Sequence, residues 1–115
     1  MSSPVAALSL MFSEVPIAIE RLALCLRLQR RIGAAHALLH LRRLAAACVR
    51  AGGGARTLAT RLDKPLAELD RALAVDRLDE STMIEAERAL SFVGFQFWQL
   101  EAHVRDGDGT AELDG

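Results

Sequence analysis

His36 and His40 stand four residues apart, a spacing that puts two imidazoles on one face of a helix and suits a shared zinc ion. Ala37 occupies the place where a metalloprotease pair carries its glutamate base, and His103, Cys25 and Cys48 stand at no ligand spacing from the pair. The pair therefore reads as two imidazoles on the partly buried side of a core helix, satisfied by neighbours or solvent. Asp106, Gly107, Asp108, Gly109 and Thr110 are spaced like part of a calcium loop. That register puts Val104 at the first ligand position and Gly115 at the bidentate glutamate, so the cage is incomplete. Gly52, Gly53 and Gly54 lack the Lys-Ser/Thr of a phosphate loop, and no Ser/His/Asp or Cys/His grouping is present. The expectation is a chain with no catalytic residue, metal, cofactor or evident small-molecule substrate, and hence no enzyme. Cys25 and Cys48 fall at apolar helical positions and read as small buried hydrophobes rather than a disulfide.

The elements that position these residues follow from composition. The chain has 115 residues, 51% hydrophobic, 4% aromatic and 25% charged. That length allows one core and leaves no room for a two-domain cofactor enzyme. Ala, Leu and Arg dominate, Tyr is absent, and Val and Ile are sparse, which favours helix over strand. The expected fold is all-α, a single compact domain of four to six helices, with a flexible N-terminus over 1–12, a helical domain over 13–105 and an acidic flexible tail over 106–115. The first thirteen residues carry no charge and so lack the basic start of a signal peptide. Later apolar runs fall short of the roughly 20 residues that span a bilayer. A cytoplasmic location without membrane contact is expected.

Ser13 and Pro16 suit a helix start. Val15, Ile19, Leu22 and Leu26 then recur at helical steps, continuing through Ala37, Leu44 and Cys48 if the helix survives Gly33, a possible hinge. Between Leu38 and Leu44 the apolar residues cover more of the circumference than one buried face needs, so this core helix is expected to pack on two sides, inside its own fold or against a second subunit, with Leu38, Leu39 and Leu41 the residues assigned to a subunit contact. Three consecutive glycines end this segment. Further on, Met83, Ala86, Leu90, Val93, Phe97, Leu100 and Val104 mark one packed face, with Thr82 and Glu85 spaced as a capping box and Gly94 a possible break.

Between these lies the segment with the most specific pattern. Residues 56–62 form a short helix, Asp63, Lys64 and Pro65 a turn, and a second helix runs from 66 to about 75. Leu58, Leu62, Leu69 and Leu73 face inward, with Ala59 at the crossing. This hairpin at about 56–75 resembles the helix-turn-helix of lambda-repressor-like (Xre-class) DNA-binding regulators. The resemblance extends over about 42–100, with one helix before the motif, at 41–50, and two after it, within 81–100. Asp63 stands where that class usually has Gly, in a turn that needs a left-handed backbone. Lys64 replaces an apolar residue and must point outward. The resemblance implies that Arg71 reads a base, that Arg56, Arg61 and Lys64 hold the phosphate backbone, and that Arg42 and Arg43 assist. Ala67, Glu68 and Asp70 would share the exposed face of the recognition helix, where carboxylates meet phosphate repulsion.

The net charge of -1 conceals an asymmetry: +2 over residues 1–40, +4 over 41–77 and -7 over 78–115. A basic middle permits an anionic partner. The expected function is a small DNA-binding regulator, of repressor or antitoxin type, that binds double-stranded DNA as a homodimer. The alternative is a helical protein-binding module, such as a small secretion chaperone, antitoxin or inhibitor. It would act through the first helix or through Phe92, Phe95, Phe97 and Trp98 and bind no DNA.

Overall fold

Five short connections divide the chain into helices, and their backbone chemistry sets the architecture. The computed structural model describes the backbone of residues 4–114 and the side chains of residues 8–106. It contains α1 (Pro4–Phe12), α2 (Val15–Arg27), α3 (Arg31–Ala51), α4 (Gly53–Thr60), α5 (Asp63–Ala74) and α6 (Glu80–Asp114), with no strand among the described residues. The chain is a single all-α domain. No helix in the described residues is long and apolar enough to cross a membrane.

The first long apolar series breaks at Gln29, not at Gly33. Gln29 has φ 56°, its N–H donates to Leu26 O at 3.1 Å, and the Arg30 N–H donates to Cys25 O at 2.8 Å. These two bonds form a Schellman close, which usually employs Gly at the left-handed position. Gln29 is held there by its amide: Nε2 donates to Leu78 O and Oε1 accepts from the Leu78 N–H, both at 3.1 Å. Arg31 adds a hydrogen bond to Val75 O and an ion pair to Asp76 at 3.8 Å. The α2–α3 turn is thus tied to the α5–α6 loop. Gly33 has a different role, because a Cβ there would lie 2.7 Å from Cys25 Sγ where α2 and α3 approach closely.

Gly52 and Gly53 take positive φ, 77° and 59°, and redirect the chain from α3 into α4 as only glycine does without strain. At the start of α6, Asp79 rather than Thr82 is the cap. Its carboxylate accepts from the Thr82 N–H at 2.7 Å, and hydrogen bonds from Thr82 hold its pKa below the ordinary carboxylate value.

The two long helices α3 and α6 frame the domain, and each of α1, α2, α4 and α5 packs against both. The inward residues of α6 are those its periodicity marks: Ala86, Leu90, Val93, Phe97, Leu100 and Val104 are buried and Met83 is half-buried. Leu38, Leu41 and Leu44 are buried too, because α3 is surrounded by four helices. Leu38 and Leu41 therefore form core rather than a subunit surface, and only Leu39, 45% exposed, remains outside. The N-terminal segment is also core-forming: α1 buries Leu8 and Phe12, and the Phe12 ring meets Phe97 edge-on at 6.5 Å. The expected flexible segment over 1–12 is thus helix from Pro4. At the other end α6 runs through Asp114, so the expected tail has helical backbone from 106 to 114, while Gly115 lies outside the described residues. The only buried polar side chain among the described residues is Gln96, whose Oε1 has no partner.

Two expected results arise from this packing. Gly94 lies inside continuous helix, where glycine costs about 1 kcal/mol relative to alanine. A Cβ there would meet only the tip of the half-buried Ile19, at 3.3 Å from Cδ1. Gly94→Ala is expected to raise the thermal midpoint; a fall would show that Ile19 has no room to yield. Cys48 is fully buried, and that burial pushes its thiol up from 9.0 to about 11. At about pH 8 a thiol reagent should modify the half-buried Cys25 while Cys48 stays protonated and protected until unfolding; simultaneous reaction of both would contradict the packing. The folded-state pKa is raised, so the stability carried by the protonated Cys48 is complete below about pH 9 and declines as pH rises toward 11.

Candidate nucleic-acid interface

The α4–α5 hairpin is made by residues that alternate between burial and exposure at helical steps. Ala59, Leu62, Leu66 and Leu69 are buried, and Leu58 and Leu73 are half-buried. All four expected leucines therefore contribute to the core. The turn falls at Arg61 and Leu62, two residues earlier than expected, and Asp63 begins α5. Arg61 and Leu62 are both right-handed, their N–H groups donating to Leu58 O at 3.2 Å and Ala59 O at 3.0 Å. No residue from 61 to 65 has positive φ, so this turn does not use the left-handed residue expected at Asp63. Pro65 fits the first turn of α5, where its missing N–H costs no helical hydrogen bond.

The outward face of α5 carries Lys64, Ala67, Arg71 and Ala74, with Asp63 at its N-terminal end, all exposed. Asp70 is exposed but turns to the flank, where it pairs with Arg42 of α3; Arg42 also donates to Leu66 O at 3.4 Å. Arg42 thus acts within the fold as a positioning residue and is withdrawn from the set free to meet phosphate. Glu68 is half-buried on the opposite flank, facing α6. The two carboxylates expected to oppose DNA therefore lie on either side of a stripe that carries Lys64 and Arg71, with Asp63 at its N-terminal end. Arg56 and Arg61 are exposed on α4 and the turn, and Arg43 is exposed on α3. None of Arg43, Arg56, Arg61, Lys64 or Arg71 forms an ion pair among the described residues.

Arg88 joins this group from α6, a residue that reasoning along the sequence missed. It is exposed and lines two clefts between α5 and α6. One, of about 460 Å³, is walled by Arg61, Lys64, Pro65, Glu68, Ala89 and Phe92 as well. Its helical position was legible; its proximity to α5 depends on the tertiary register. Exposed aromatics continue along α6: Phe92 is 46%, Phe95 52% and Trp98 67% exposed, and the Phe95 and Trp98 rings stack at 6.3 Å. Phe97, their expected companion, belongs to the core.

The histidine pair lies apart from this surface. His36 and His40 are both exposed rather than on a partly buried side, and His40 pairs with Glu14 across a cleft between α2 and α3. Among the described residues, no group of three or more His, Cys, Asp or Glu is placed to hold a metal ion. The calcium-like spacing at 106–110 falls on helical backbone, and the side chains beyond Asp106 lie outside those described. No family model, curated protein or solved structure matches the chain.

Proposed function

We propose that this chain is a small, non-catalytic DNA-binding regulator of repressor or antitoxin type, which enters the major groove with α5 and acts in the cytoplasm. The observation that carries the reading is the Arg42–Asp70 ion pair. It draws one carboxylate off the outward face of α5 and leaves Lys64, Ala67 and Arg71 to meet DNA. Arg71 is the base reader, because a guanidinium can bond two acceptors on a guanine edge. Arg56, Arg61 and Lys64 hold backbone phosphates and fix the register, with Arg43 at the margin. One hairpin per chain suits a two-fold operator read by two copies.

The test is binding of the full-length protein to duplex fragments of the DNA upstream of its own coding sequence, followed over a range of salt. Binding that weakens with salt and is reduced by Arg71→Ala supports the proposal. An absence of binding at low salt overturns it.

A further inference from the structure

We infer that the face formed by the α5–α6 cleft and the exposed aromatics of α6 docks an acidic amphipathic helix of a partner protein. Phe95 and Trp98 lie away from the buried Val93, Phe97 and Leu100, Phe92 lies on the flank toward α5, and among the described residues all three stay about half exposed or more. Three large aromatics on one exposed face form the kind of continuous apolar patch that marks a docking surface. Ile84, 46% exposed, extends the stripe. Between Ile84 and the aromatics the same face carries Arg88 and Ser91, so the apolar part is concentrated at Phe92, Phe95 and Trp98 with a cation at its N-terminal side, the pattern a short amphipathic helix can match.

Charge selects the occupant. Phe92 forms the edge of the 460 Å³ cleft, whose walls carry Arg61, Lys64 and Arg88 against the single carboxylate of Glu68. None of the three cations is ion-paired among the described residues. A helix with apolar residues on Phe92, Phe95 and Trp98 and carboxylates toward the cleft would satisfy both features. The docking face shares Arg61 and Lys64 with the proposed DNA-binding face, so the two partners would compete there, while Arg88, Phe92, Phe95 and Trp98 belong to docking alone; the test contains no duplex and reads docking by itself.

Trp98 is the only tryptophan in the chain and lies within the patch, so its emission reports occupancy directly. The full-length protein would be titrated with a synthetic helix of about five turns that carries Leu and Glu at amphipathic spacing and no aromatic residue. The controls are the same peptide with Lys for Glu, a scrambled order and a single-stranded oligonucleotide. The expected result is a blue shift with the acidic amphipathic peptide alone, weakened by salt and by about tenfold or more in Arg88→Glu and in Phe92→Ala. Both substitutions fall on exposed side chains, and circular dichroism checks that they leave the helices intact. No shift, an equal shift with the Lys or scrambled peptide, or tighter binding of the oligonucleotide overturns the inference. So does a blue shift that grows with protein concentration in the absence of peptide, because a second copy would then cover the face.

Discussion

Phe97→Ala is expected to cost about 3–5 kcal/mol of folding stability, and Trp98→Ala, one residue along, less than about 0.5 kcal/mol. Phe97 is 1% exposed and meets Phe12 edge-on at 73°, whereas Trp98 is 67% exposed. The truncation removes the transfer energy of a whole ring and leaves a void that α1 and α6 would have to collapse to fill. A single domain has about 5–15 kcal/mol in total, so this one change brings the protein to the margin of unfolding. Phe12→Ala removes the other half of the contact and should cost a similar amount, which makes it a direct test of α1 as part of the core. Denaturant unfolding followed by circular dichroism gives all three values. Equal effects at positions 97 and 98 would mean that α6 faces the core by another side.

Much of this packing was legible because α6 repeats its apolar residues at steps of three and four over more than five turns. The same logic placed Leu62 and Leu69 correctly. It failed at α1, where PVAALSLMF is apolar nearly all round and offers no periodicity to read. It failed again at 28–30, where neither Gly nor Pro announces a break. The left-handed Gln29 depends on hydrogen bonds to Leu78, 49 residues away. Leu38 and Leu41 were misassigned for a related reason: an all-round apolar helix is equally suited to the middle of a fold and to a subunit contact, and only the neighbours decide. At the candidate interface, the exposure of Lys64, Ala67 and Arg71 followed from helical spacing. The Arg42–Asp70 pair and the approach of Arg88 required the register between helices, which no local pattern encodes.

Arg71→Ala is expected to lower affinity for a specific duplex by about 1–3 kcal/mol, roughly five- to 150-fold, and to relax preference at one base pair. Lys64→Ala should weaken all sequences alike and reduce the salt slope by about 1. Arg42 discriminates between the possible arrangements. If it acts by holding Asp70 to the flank, Arg42→Ala weakens binding by releasing a carboxylate toward phosphate, and adding Asp70→Asn restores it. If Arg42 itself touched phosphate, the second substitution would restore nothing. The folding stability of Arg42→Ala should change by less than about 1 kcal/mol, because both partners are substantially exposed, 40% and 52%.

The central claim is that α5 presents a cationic face to duplex DNA, and the salt dependence of binding tests it most directly. With Arg56, Arg61 and Lys64 each neutralising one phosphate, the logarithm of the association constant should fall linearly with the logarithm of salt concentration. The slope should be about -2.7 per hairpin, from about -0.9 for each contact. Arg71→Ala should lower the line. Binding that is absent at low salt, or flat across the titration and indifferent to Arg71, would contradict the account.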